Sequence, residues 1–186
     1  PMPAADVAIA AAQTKYQGKK APLCAALEAK DEDAAEALLD GGADPNEVDQ
    51  YGKNALHMAA WNGCRRPLFQ RFLAMVHDVN TGDNEGNTAL MLAACHNHLD
   101  VVMSLMNHPG IDLNVQAPSL NPYSNYTALH MAVANNHPAI LAQLLSDDKI
   151  DSSLKEEFYK MTPLTMAIDE KYPECVKILK EHGAPE

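Results

Sequence analysis

"TALHMAVANN", residues 127–136, decides the fold, because the stretch has four relatives in the same chain. "APLCAALEAK" begins at Ala21, "NALHMAAWNG" at Asn54, "TALMLAACHN" at Thr88 and "TPLTMAIDEK" at Thr162. The shared leucines Leu23, Leu56, Leu90, Leu129 and Leu164 lie 33, 34, 39 and 35 residues apart. Five copies at a period near 33 point to a solenoid, in which a unit buries its apolar face only against its neighbours.

Each copy carries the same local logic. Asn54, Thr88, Thr127 and Thr162 open a helix, where a side-chain oxygen can accept from an orphan backbone N–H of the first turn. Pro22 and Pro163 fall at the first helical position, where a missing N–H costs nothing. Leu56, Ala59 and Ala60 give one apolar, thin side that lets neighbouring helices approach closely. A second helix follows, with apolar pairs four apart: Leu38/Leu39 after Ala34/Ala35, Phe72/Leu73 after Leu68/Phe69, Leu105/Met106 after Val101/Val102, and Leu144/Leu145 after Ile140/Leu141. Turns such as "GGADPN" (Gly41–Asn46) come next, then tips such as "DQYG" and "DNEG", whose Gly52 and Gly86 suit positive φ.

A unit of this length with T-P-L-H-x-A, a second aliphatic helix, G-A-D-x-N and D-x-x-G resembles the ankyrin repeat. Asn54–Ala59, Thr127–Ala132 and "LLDGGADPNEVDQYG" (Leu38–Gly52) carry the resemblance, which extends over about residues 19–184. It implies an all-α solenoid of stacked helix-turn-helix pairs joined by β-hairpin-like loops. The repeats would span about 19–51, 52–85, 86–124, 125–159 and 160–186. Ala4–Tyr16 reads as an Ala-rich helix ending at Gly18, so residues 1–18 are either an N-terminal capping helix or a leader. Three departures stand out. Copy one has Ala21 and Cys24 in the Thr and His slots, as suits an end repeat. The loop Val115–Tyr126 is about five residues too long, with Asn125 in the tip-glycine slot. Lys160 fills that slot in copy five.

Composition bounds the partners. The chain has 186 residues, 47% apolar but only 5% aromatic, so small and aliphatic residues with nine Met do most of the burying. A net charge of -11 argues against nucleic acid or an anionic membrane as the main partner, and no apolar run approaches a membrane span. Nine carboxylates between Glu28 and Asp49 face one Lys30, forming either a solvated face or a surface that steers a basic segment of a partner. The four cysteines show no pairing signature, and the N-terminus lacks a basic region before its Ala-rich stretch. Both features fit a reducing compartment, the cytoplasm with the nucleus as a second location. Pro1 before Met2 reads as an addition to the native start, and the Asn125–Thr127 sequon as chance.

Catalytic signatures are missing from the sequence: no Gly-rich phosphate loop and no G-x-S-x-G. His57 and His130 occupy the motif slot in which, the resemblance implies, the ring ties up backbone groups. His96 and His98 form the one close His pair but lack two further ligands at metal-binding spacing, so neither a metal nor a cofactor is expected. Met58, Met131 and Met166 share a slot with Leu92 and read as core. The chain therefore reads as a monomeric, non-catalytic protein–protein interaction module: an adaptor, scaffold or inhibitor. A regulatory fragment of a larger polypeptide is the alternative, and a metal-binding protein or enzyme the remote one.

The lone Trp61 falls five residues after Leu56, where the other copies have Glu28, Cys95, Ala134 and Asp169. The fold does not demand one residue type there. The resemblance implies that this end of the first helix and the neighbouring tips form the concave binding face. Trp61 is then either a partner-binding anchor or a plug packed against a neighbouring helix. The candidate contact set is Gln50, Tyr51, Lys53, Trp61, Asn62, Asn84, Glu85, Asn87, His96, Tyr123, Tyr126, Asn135, Phe158 and Tyr159. Tyr126 and Phe158 have a second reading, folded inward to pin their loops, whereas Phe69 and Phe72 read as second-helix core. The resemblance also marks Asn46 as a possible site of asparaginyl hydroxylation, with Asn80 and Asn114 matching less well.

Overall fold

In the computed structural model, residues 3–117 and 125–185 are described, and among them eleven helices form. Helix α1 (Ala4–Lys15) precedes five pairs: α2 (Pro22–Glu28) with α3 (Glu32–Asp40), α4 (Ala55–Asn62) with α5 (Arg66–Met75), and α6 (Ala89–Cys95) with α7 (Leu99–Met106). The series continues with α8 (Ala128–Ala134) and α9 (Pro138–Leu145), then α10 (Pro163–Asp169) and α11 (Pro173–Glu181). The first helices stack in the order α2, α4, α6, α8, α10; α5, α7, α9 and α11 stack behind them, and α1 lies on α3. No helix among the described residues is long and apolar enough to cross a membrane.

The caps expected at Asn54, Thr88, Thr127 and Thr162 form, each side chain accepting from the backbone N–H three residues on. At Asn54 and Thr127 the bond is reciprocal, because Nδ1 of His57 and of His130 accepts the cap's own N–H. This is a capping box with His at the third helical position in place of Glu or Gln. The other ring nitrogen reaches forward, Nε2 of His57 to the Thr81 carbonyl (2.9 Å) and Nε2 of His130 to the Met161 carbonyl (3.2 Å). The five shared leucines are buried, and so are Ala59, Ala60, Ala93, Ala94 and Ala132, which keeps the first-helix layer thin. Phe69 and Phe72 are fully buried in the second-helix layer.

Each tip is closed by a backbone bond across its base: Asp49 N–H to Lys53 O, Asp83 to Asn87, Ala117 to Tyr126 and Glu156 to Met161. In the first three a second bond joins Gly52 N–H to Asp49 O, Gly86 to Asp83 O and Asn125 to Ala117 O. Gly52 and Gly86 take the expected positive φ (74° and 79°), and Asn125 (61°) and Lys160 (55°) adopt it without being glycine. In two tips an Asp carboxylate accepts from the N–H groups two and four residues on. The last tip is one residue longer, and there a longer carboxylate does the work: Glu156 accepts from Phe158, Tyr159 and Met161.

A second ladder runs along the opposite loops. Asn46 Nδ2 donates to Met75 O while its Oδ1 accepts from His77 N–H. Asn80 does the same with Gly110 and Asp112, and Asn114 with Lys149 and Asp151. The acidic first repeat is partly neutralised by its own chain. Arg65 pairs with Glu32, Asp33 and Glu36, Arg71 with Glu36 and Asp40, and Lys15 with Asp31. Of the nine carboxylates from Glu28 to Asp49, five are therefore held in ion pairs. All four cysteines are free thiols, and burial pushes Cys24 and Cys64 up to about 12.

Candidate functional site: a groove divided by Trp61

Trp61 sits in the last turn of α4, one residue before Asn62 and the left-handed Gly63 (φ 74°) that ends the helix. The residue is 41% exposed. The His96 ring lies against it (centroids 4.2 Å, tilted 44°), and Lys53 Nζ stands 5.5 Å from its centroid. His98 Nε2 donates to the Trp61 carbonyl at 3.0 Å, which fixes the helix end. The residue is thus packed on one side and open on the other.

Two cavities meet at this ring. The larger, about 710 Å³, runs from Trp61 across α6 and α8 to the end of α10. Its floor includes Leu92, Met131 and Met166, and its rim includes Glu85, Asn135, Tyr159, Asp169 and Glu170. The smaller, about 410 Å³, lies on the other side among Glu28, Asp49, Tyr51, Lys53, Met58, Asn62 and Glu85.

Of the candidates expected from sequence, Tyr51, Lys53, Trp61, Asn62, Glu85, Asn87, Tyr126, Asn135 and Tyr159 line one cavity or the other. Gln50, Asn84, His96 and Phe158 do not. The Gln50 carbonyl accepts from Asn84 Nδ2, so these two lace adjacent tips together. Phe158 is exposed (62%) but outside both cavities, and Tyr123 lies outside the described residues. Tyr126 follows the inward reading: it is half-buried against the core with its ring 5.4 Å from His130. Phe158 does not.

The sequence reading missed two sets of lining residues. Cys95, Ala134 and Asp169 line the larger cavity and Glu28 the smaller. All four share the repeat slot of Trp61, so the register that found Trp61 contains them. The Met slot is the other set. Met58, Met131, Met166 and Leu92 are buried, as expected, yet they also form the floors. One slot can serve both purposes because burial is not total, Met58 and Met131 keeping 8% of their surface, and a flexible thioether fits irregular space.

Several polar groups at the site are already engaged within the chain. Glu156 is buried and spends its carboxylate on three backbone donors. Lys53 is ion-paired at 3.0 Å to Asp83, whose side chain is fully buried. Burial holds His57 below its usual range and His130 down to about 4, so both rings are neutral near pH 7. Burial also lowers His96, with help from His98 and His137. Among the described residues no group of three or more His, Cys, Asp or Glu is placed to hold a metal ion.

Comparison with known proteins agrees with the fold. The family model described as "Ankyrin repeats (3 copies)" matches residues 23–117 and again 115–185. The chain is 31% identical over 170 residues to the nuclear factor NF-kappa-B p105 subunit of Gallus gallus, covering 88% of this chain and 16% of that protein. It is 40% identical over 87 residues to a photoreceptor ankyrin repeat protein of Homo sapiens, covering 42% of this chain and 18% of that protein. It is 33% identical over 105 residues to NF-kappa-B inhibitor alpha of Sus scrofa, covering 54% of this chain and 33% of that protein. The chain thus spans a third or less of the length of these relatives.

Proposed function

This chain belongs to the ankyrin-repeat family, a family of protein-interaction modules, and from that premise we propose that it is a non-catalytic adaptor, scaffold or inhibitor that grips another protein along the groove divided by Trp61. The observation that carries the reading is the pair of adjoining cavities on the tip-and-first-helix side, with a 41% exposed Trp standing between them. A ring of this kind offers roughly 150–250 Å² of apolar area, and truncating such an anchor commonly costs about 2 kcal/mol or more of binding. Stacked repeats hold the contact residues in place before binding, so little entropy is lost when the partner arrives. Residues 1–18 serve as a cap on the repeat domain of residues 19–186. Cytoplasm or nucleus is the compartment that suits four free thiols. The module acts as a monomer. Asn46 is proposed as a hydroxylation site, and an intact mass of the native protein without an added oxygen counts against it.

The test is retention of a partner from lysate of the native cells by wild type, Trp61→Ala, Ala134→Phe and Met103→Ala, with melting curves run alongside. Ala134 lines the larger cavity, whereas Met103 is exposed on the second-helix side. A partner lost with both groove variants and kept by Met103→Ala supports the reading. A partner kept by the groove variants and lost with Met103→Ala puts the binding face on the other side of the stack.

A further inference from the structure

We infer that the occupant of the groove is a basic segment of the partner protein, with a lysine or arginine side chain seated in the larger cavity between Trp61 and the Asp169–Glu170 end of α10. The inference rests on the groove being the partner face. Three independent features of the structure lead to it.

The first is an imbalance of charge that differs between the two sides of the molecule. On the second-helix side, Glu36 and Asp40 find cations within the chain, at Arg65 and Arg71. On the groove side, Glu28, Asp169 and Glu170 line the cavities and are exposed, and none of them has an ion-pair partner among the described residues. Lys53, the cation in the lining of the smaller cavity, is already bound to Asp83. The groove is therefore left negative, and a basic segment supplies the missing charge.

The second feature is where these carboxylates stand. The C-terminal ends of the first helices open on the groove, and none of α2, α4, α6, α8 or α10 carries a basic residue in its last turn. A helix C-terminus presents partial negative charge and favours a cation. Glu28 ends α2, Asp169 ends α10 and Glu170 caps it, so each places a like charge where an opposite one is preferred. Lys30 and Lys171 follow these two helix ends but form no ion pair with the three carboxylates among the described residues, and local rules are broken mainly at functional sites.

The third feature is the shape and chemistry of the larger cavity. Its floor of Leu92, Met131 and Met166 matches the aliphatic stem of a long basic side chain, and the carboxylates at its far rim match the charged head. The Trp61 ring already has an ammonium nearby, Lys53 Nζ at 5.5 Å, so its environment tolerates a cation. An acidic segment would meet repulsion, and a purely apolar one would strip water from Asp169 and Glu170 without replacing it.

The test uses a random 12-residue peptide library displayed against the immobilised full chain. The enriched peptides are then made synthetically and titrated by anisotropy into wild type, Asp169→Asn/Glu170→Gln and Ala134→Phe. Expected are peptides rich in Lys and Arg that Ala134→Phe excludes. The double variant should bind them about threefold to fivefold more weakly for each carboxylate removed. Binding should also weaken as salt rises from about 50 to about 500 mM. Since Trp61 is the single tryptophan, its emission should shift on binding. Peptides that Ala134→Phe excludes, but that are neither basic nor sensitive to salt and the double variant, overturn the inference and leave the groove standing as the partner face. Peptides that bind Ala134→Phe as well as wild type remove the groove reading, and the inference falls with it. A library with no enrichment overturns the inference alone.

Discussion

His130 shows how one residue ties stability to pH. Its ring is fully buried, bonded at Nδ1 by the Thr127 backbone and at Nε2 to the Met161 carbonyl, and burial holds its pKa at about 4 against an ordinary 6.5. The unfolded chain takes up this proton as pH falls below 6.5, whereas the folded chain resists until about 4. Stability contributed by the neutral ring is thus whole above 6.5 and is lost between 6.5 and 4, on the order of 3 kcal/mol for a shift of this size. Urea midpoints measured from pH 7 to 4.5 should fall, and His130→Gln should flatten that fall; an equally steep curve in the variant would remove His130 as the cause. A second residue-scale effect lies in the turn between the helices of each pair. Lys30, Gly63, Asn97, Asn136 and Lys171, each seven residues after the shared leucine, all have positive φ. A lysine there carries strain that glycine does not, so Lys171→Gly should raise stability by about 1 kcal/mol in denaturant titration. Gly63→Ala should lower it, because its new Cβ would run into the His98 ring.

At the scale of elements, the loops are held by side chains more than by paired strands. Asn80 uses both ends of its amide on the next loop, at 2.8 Å to Gly110 O and 2.8 Å from Asp112 N–H. Asn80→Ala leaves two backbone groups without those partners and should cost about 1–3 kcal/mol by thermal or chemical denaturation. A loss well below that range would mean that water replaces both bonds. The caps Asn54, Thr88, Thr127 and Thr162 were legible in the sequence, because capping depends on residues three apart. The Asn ladder was legible only as a recurring D-x-N. Its partners lie 29 to 37 residues away, and only the stacking of whole repeats brings them together.

At the scale of the molecule, an end repeat has one face with no repeat against it. Helix α1 covers that face on α3, burying Ala12 and Tyr16 and pressing Ile9 onto Gly41. Removing residues 1–18 should lower Tm by roughly 5 °C, the shift expected for about 2 kcal/mol in a chain of this size. An unchanged melt would mean that the first repeat is stable uncovered. The groove is also a property of the whole stack: its larger cavity takes lining residues from α4, α6, α8 and α10. The slot five residues after each leucine could be read from the sequence and held Trp61, Cys95, Ala134 and Asp169, but the reading settled on the aromatic alone. Its bias toward aromatics also admitted Phe158, which stays outside both cavities, and passed over Asp169.

The order of elements, the caps, the repeat register and the positive φ of the Gly52 and Gly86 tips follow from the sequence alone, because each depends on residues within a few positions of one another and recurs from copy to copy. Tertiary structure decided the rest. It bound Glu32, Asp33, Glu36 and Asp40 to Arg65 and Arg71, turning part of an acidic run into an internal clamp. It also left Glu28, Asp169 and Glu170 beside the groove with no ion-pair partner among the described residues. Which charges are cancelled within the chain depends on what the stack sets beside them, about one repeat away in sequence and within 4 Å in space.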